Sequence, residues 1–355
     1  MAVFEVVLVN RVPAVTGSPT LTTLDRLIVE TISYVEELNR PGTASLGVPI
    51  RSMSSTVQTQ LADLAASASE VWIYADSSIV WAGEIQTLNI QGQTVELGCV
   101  GLLGYLFRMG VVSDLIYSAT DQFTIAKGMV DQWQNLNYGN YGIDTSTVGT
   151  SGVTRDRTYL RNELHNVGQR ITELGNVSDG FDLKVDPSTR KLVLTNPQQG
   201  SDLSASVFLD ERNIDSAQVS VSAAPGDLVS HVDATGTSMT SGGVTSTLFS
   251  EQTTSALLST YGRSWAGVNF DTVSVQGTLD NSANAYLAIR NKQMFQPGVT
   301  AFAGSNADVG GFHVGDTISY SYDAGLGRQT LSLRVGKLTV NVDGSGKQRL
   351  QVEFI

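Results

Sequence analysis

Residues Ser69–Leu97 read SEVWIYADSSIVWAGEIQTLNIQGQTVEL, and the reading of this stretch decides the fold class. Val71 and Ile73 alternate with Trp72 and Tyr74, ADSS turns the chain, IVWAGEI returns it, and QGQ closes a second hairpin into Val95, Leu97 and Cys99. Alternation with period two, punctuated by Asp, Ser and Gly, is the pattern of a β-meander. Here both alternating sets carry apolar side chains, so both faces of the sheet require cover. One side suits the interior of a barrel. The other needs a partner, either a ligand or a neighbouring subunit.

Working outward, the preceding residues have the same texture. Val7 and Val9 alternate with Phe4, Val6 and Leu8, RLIVETISYVEEL continues in β-branched and aromatic residues, and NRPG forms a turn around Pro41 and Gly42. These features define a β-rich module over residues 1–114. A different pattern follows over 115–200. In DQFTIAKGMVDQWQNLNYG, Ile125, Ala126, Met129, Val130 and Trp133 fall at helical spacing, with Asp121 as N-cap and Gly139 beyond the end. NELHNVGQRITELGN repeats the helical pattern through Leu164, Val167, Ile171 and Leu174, with His165 on its solvent side, and FDLKVDPSTRKLVL is a hairpin turning at DPST. This segment reads as an inserted α+β domain. Residues 201–355 return to β. The stretch GTSMTSGGVTST reads as mobile loops, a helix is expected over about 281–294, and the last residues form a meander with turns at DAGLG and DGSG.

Composition narrows the function. The 355 residues are 41% hydrophobic and 16% charged, as in a folded globular protein of two or three domains. A net charge of -12 argues against a nucleic-acid gripper, which needs clustered Lys and Arg, although nucleic acid in transit past a negative wall remains compatible. The apolar run of MAVFEVVLVNRVP lacks a basic leader and is broken by Glu5 and Asn10, so no signal peptide is expected, and no segment is apolar enough to span a bilayer. A soluble product made in a cytoplasm is the expectation. The single Cys99 alternates with Val95 and Leu97 and reads as a core residue rather than a reactive thiol.

No catalytic constellation emerges. His165, His231 and His313 fall in separate contexts, with no carboxylate at ligand spacing and no H-E-x-x-H, and neither G-x-S-x-G nor a phosphate-binding loop occurs. Asp179, Asp182 and Asp186 lack the order of a calcium loop, because alternating Phe181, Leu183 and Val185 make the segment a strand. Trp72 and Trp81 are candidates for a sugar-stacking platform, but their β-branched neighbours favour a core or interface. A pair of carboxylates suited to glycoside hydrolysis cannot be read from sequence among 34 acidic residues. No catalytic, cofactor or metal residue is assigned.

Four passages in order carry a family resemblance: VEELNRPGTASLGVP; VWAGEI with its continuation into GLLGYLFRM; RDRTYLRNELHNVGQRITELGNVSDGFDLKVDPSTRKLVL; and FHVGDTISY with LSLRVGKLTVNVDGSGKQRLQVEF. Together they resemble the minor tail proteins that form the baseplate or tail-tip hub of long-tailed bacteriophages. The resemblance implies a mainly β fold, in which two tube-forming β-barrel modules flank an inserted α+β domain. It implies a homotrimer that forms a pseudo-hexameric ring closing the tail tube at the distal end of the virion tail, after synthesis in the host cytoplasm. The implied partners are the tail tube or distal tail protein, the tape measure protein, and central fibre or receptor-binding tip proteins. DNA passes only as transient cargo, with no stable membrane insertion, no cofactor and no catalysis. Under this resemblance the second apolar face of Ser69–Leu97 meets the next module of the ring. Two other readings are a receptor- or carbohydrate-binding tip protein, expected to carry a module rich in exposed aromatics, and a tail-associated cell-wall hydrolase, expected to show a catalytic module.

Overall fold

A computed structural model describes residues 2–62, 69–177, 179–222, 226–241, 244–255, 258–271, 273–291, 294–304, 307–323 and 328–355. The fold is mainly β. The first region contains β1 (Phe4–Val12), β2 (Thr20–Leu27), β3 (Thr31–Glu37), β4 (Thr43–Pro49), α1 (Ser55–Ala62), β5 (Ser69–Ala75), β6 (Ser78–Gln91) and β7 (Thr94–Gly101). An α+β segment follows, with β8 (Leu115–Asp121), α2 (Gln122–Gln134), β9 (Thr154–Tyr159), α3 (Val167–Gly175), β10 (Asp182–Val185) and β11 (Leu192–Thr195). Beyond it lie β12 (Phe208–Leu209), β13 (Ile214–Ser222), β14 (His231–Ser241), β15 (Val244–Thr253), α4 (Leu258–Tyr261), β16 (Trp265–Asn269) and α5 (Gln276–Arg290). The remaining strands are β17 (Met294–Phe302), β18 (Thr317–Asp323), β19 (Arg328–Val342) and β20 (Gln348–Phe354).

The meander forms as its pattern requires. Asp76 and Ser77 both take positive φ in the tight β5–β6 turn, the conformation that matches the twist of a two-residue hairpin. The principal sheet then runs antiparallel in the order β13-β17-β20-β19-β3-β4-β7-β6-β5-β1-β2, with β18 on β19 and the short β12 on β18. Its two halves meet where β3 pairs with β19, Ile32 opposite Val342 and Tyr34 opposite Val340. One hydrophobic core spans the joint. Val6, Leu8, Ile73, Trp81 and Leu97 share it with Ile318, Tyr320, Val340, Leu350 and Phe354.

A second core, built from Leu106, Ile125, Met129, Val130, Ile171, Leu174 and Phe181, fills the α+β segment and reaches Ala82, Ile79 and Trp72 of the wall. Asp121 caps α2 by accepting from the Phe123 amide, and Asn166 caps α3 by accepting from the Gln169 amide. The second face of the meander is therefore covered within the chain, by the α+β segment, where a neighbouring module was expected. Hydrophobic patterning demands burial without naming what supplies it.

Two expectations need correction in the last region. Described residues of GTSMTSGGVTST belong to β14 and β15, which form a hairpin with His231 opposite Thr253 and Ser241 opposite Val244. Thr and Ser support a strand wherever one face has something to pack on, and here that is α5. The helix spans Gln276–Arg290 rather than 281–294; its start is hidden from sequence because Val275 offers no side-chain cap, and Met294 already belongs to β17. The DAGLG turn beyond Asp323 and residues 292–293 of the expected helix lie outside the described residues. Sheet β15-β14-β16 and α5 enclose a small third core of Val232, Ala234, Ala266, Leu279, Ala283 and Leu287.

Candidate functional site

A buried cluster of charged side chains lies at the seam between the wall and the α+β segment. Glu70, at the start of β5, is fully buried and accepts from Tyr105 Oη (2.7 Å), Trp72 Nε1 (3.1 Å) and Arg190 Nη1 (2.7 Å). Arg190 also donates to the carbonyls of Gly142 and Tyr141, so it ties the segment's loops to the wall. Arg11 of β1 sits 3.7 Å from Glu70 and 3.6 Å from Glu84. Its guanidinium lies 5.2 Å from the ring centres of both Tyr105 and Tyr141, which stack on each other at 4.9 Å. Arg108 completes the group by donating to Glu84 at 2.6 Å.

Burial raises the Glu84 carboxyl above its ordinary range; Arg108 and Arg11 oppose that shift and Glu70 adds to it. Burial likewise holds the Tyr105 phenol well above 10. Glu70 and Glu84 are neighbouring carboxylates, the arrangement glycoside hydrolysis uses, but arginines saturate both and both are buried from solvent. The cluster is built to lock two layers together. Sequence offered one signal for it: Arg11, Glu70 and Glu84 interrupt apolar strand runs at positions where a charge has to find a partner inside.

The histidines correct the sequence reading, because each faces a carboxylate. His165 is only 6% exposed and Leu164 is 87% exposed, the reverse of the expected order. Leu164 takes a φ of 54°, which turns it outward ahead of α3. Arg170 Nε donates to His165 Nδ1 at 3.0 Å, leaving Nε2–H to donate to Glu163 at 2.6 Å, so both ring nitrogens are engaged. His231 contacts Thr253 Oγ1 through Nδ1 (2.8 Å) and Asp233 through Nε2 (3.2 Å). His313 lies 3.3 Å from Glu36 across the joint between the two halves, beside a cavity of about 210 Å³ also lined by Arg40, Val80 and Lys184. The hydrogen bond to Glu36 raises the His313 pKa against an opposing effect of burial.

Among the described residues no group of three or more His, Cys, Asp and Glu side chains is placed to hold a metal. Asp182 instead binds Asn39, the Gln199 amide and Arg334, and Asp186 caps the turn at Ser188 and Thr189. Cys99 is buried, which pushes its thiol up to about 12. Trp81 lies in the main core and Trp72 against the second core, so neither is a platform for sugar. Among the described residues no helix is long and apolar enough to cross a membrane.

Comparison with solved structures gives full-length matches. The chain aligns over 99% of its length with 96% of a tail protein from Neisseria meningitidis MC58, with a TM-score of 0.63 and 14% identity. This chain has the fold of a phage tail protein. The same fold occurs in a 43 kDa tail protein of prophage MuSo2 from Shewanella oneidensis (TM-score 0.61, 12% identity, 99% of this chain and 98% of that one). It occurs again in prophage tail protein gp18 from Listeria monocytogenes EGD-e (TM-score 0.60, 11% identity, 98% and 94%). No family model matches the sequence, and no curated protein matches it. The fold thus persists where little sequence likeness does, and these three neighbours are tail proteins.

Proposed function

We propose that this chain is a structural hub of a phage tail tip or baseplate. The observation that carries the reading is the main path of the principal sheet, which runs from β13 to β2, both edge strands with one neighbour among the described residues; the short β12 ends its side branch. Exposed strand edges are templates for pairing with another chain, and proteins normally shorten or cover them. Here they are strands of 8 and 9 residues in a chain that matches tail proteins from end to end. Joining edge to edge around a three-fold axis closes the sheet into a tube. In this reading the β regions 1–114 and 201–355 form the ring, and the α+β segment 115–200 braces it from one side. Tube, tape measure and tip proteins dock on its ends at the distal tail, DNA crosses only during ejection, and the chain performs no catalysis.

Light scattering of the purified protein, with imaging of intact tails, tests the reading. Three copies around an open channel are expected, with a neutral or acidic lumen that does not retain phosphate. A two-fold or six-fold copy number, or a strongly basic lumen, overturns it.

A further inference from the structure

The outer face of the β15-β14-β16 sheet carries an exposed tryptophan, Trp265, held by a side-chain hydrogen bond. The inner face packs Val232, Ala234 and Ala266 against α5, so alternation turns His231, Asp233, Glu251, Trp265 and Asn269 outward. Trp265 is 60% exposed, yet it is not loose. Its Nε1 donates to Asp233 Oδ2 at 2.8 Å, and the Cζ2–Cη2 edge of its ring comes so close to Gly267 that an added Cβ would lie within 2.9 Å of both atoms. A side chain at 267 would push the indole aside, so the glycine and the Asp233 carboxylate together set the position of a ring that stays largely exposed. His231, 3.2 Å from Asp233 and 2.8 Å from Thr253, fixes the carboxylate that fixes the indole.

We propose that this face binds a neutral carbohydrate, with a β-linked, gluco-configured pyranose stacked on Trp265. A pyranose whose substituents are equatorial presents axial C–H groups to a flat aromatic ring. Acceptors and donors for its hydroxyls stand beside the platform. The Glu251 carboxylate lies 3.7 Å from His231 and is more than half exposed, and Asn269 Oδ1 accepts from Thr235, leaving its amide N–H groups to donate. β14, β15 and β16 contain no lysine or arginine, so the face is unsuited to phosphate or nucleic acid. It is also unlike the centre of a protein interface, which is apolar and poor in charge. Phe249, the other large aromatic turned outward here, lies two strands across and four residues along from Trp265, roughly 16 Å away.

The inference is independent of the ring, since a monomer presents the same face. Titration of the purified chain with cellotriose and with chitotriose, followed by calorimetry and tryptophan fluorescence, tests it. Saturable binding is expected with at least one trisaccharide. Trp265→Ala should weaken it about tenfold or more, Trp265→Phe should retain part of it, and Glu251→Gln should weaken it a few-fold, all with unchanged circular dichroism. No saturation by either sugar up to about 10 mM, or equal binding by Trp265→Ala, overturns the proposal. So does occlusion of Trp265 by a protein neighbour in assembled tails without sugar binding by the free chain.

Discussion

The β5–β7 wall and the β14–β16 sheet each bring tryptophan, a histidine or tyrosine, and acidic residues close together, but the wall is an antiparallel meander, the sheet adds a parallel strand to a hairpin, and their surroundings differ. The wall is covered twice, by the main core on one side and the α+β segment on the other, and its charges are buried against arginine. The outer sheet packs on α5, and its carboxylates stay partly exposed, Asp233 less than Glu251. The same chemistry therefore does different work: Glu70 holds layers together, whereas Asp233 orients a surface ring. The apolar wall looked like the docking surface in sequence, and the polar Ser/Thr-rich stretch looked like loop. Burial reverses both.

Matched substitutions in the two regions sharpen this contrast. Glu70→Ala strands Arg190, Arg11 and Tyr105 in the seam and should lower stability in urea by about 3–5 kcal/mol. Asp233→Ala removes one partly exposed hydrogen-bonding carboxylate and should cost about 1 kcal/mol or less. Equal losses would break the comparison. Trp81→Ala opens a cavity in the main core and should cost about 3–5 kcal/mol, whereas Trp265→Ala, on the surface, should cost about 0.5–1 kcal/mol. Amide exchange gives a substitution-free version of the test. Protection in β14 and β16 should fall below that in β5 and β7 by about 2 kcal/mol or more, because the small core supplies less to hold them closed.

The smallest expected effect is a pH dependence at the joint between the two sheet halves. Glu36 raises the His313 pKa in the fold, so the stabilisation is complete below the unfolded value near 6.5 and is lost as pH rises through the folded value. The urea midpoint should be higher at pH 6 than at pH 8 by an amount that His313→Gln abolishes. His313 is 48% exposed at its side chain, so screening keeps the contribution below about 1 kcal/mol. An unchanged or opposite pH slope in His313→Gln would show that another group carries it.

Local signals were legible in sequence where one segment contains both cause and effect. The Ser69–Leu97 meander, the Asp121 cap of α2 and the Phe181–Leu194 hairpin follow from alternation, a capping carboxylate and a turn. What depended on distant partners was not legible. Nothing near Ile32 announces Val342, and nothing near Glu70 announces Arg190. His165 was misplaced because one residue in left-handed conformation, Leu164, shifts the start of α3 and inverts which neighbour faces inward. Trp265 escaped notice because its significance rests on Gly267 beside its ring edge and Asp233 one strand away, and neither is informative alone.

Strand β19 has a consequence for the order in which the molecule is made. Its first half pairs with β18, and its second half lies between β20 and β3. On the ribosome, β3 emerges early and stays without that neighbour until residues 337–342 have been translated. The α+β segment contains its own helices and core, so it can condense while the principal sheet is still incomplete. Until β19 arrives, β3 is a bare hydrogen-bonding edge in a crowded cell, where other nascent copies offer the same edge. The late strand closes that interval, and premature termination before it would leave a sticky half-sheet rather than a smaller version of the protein.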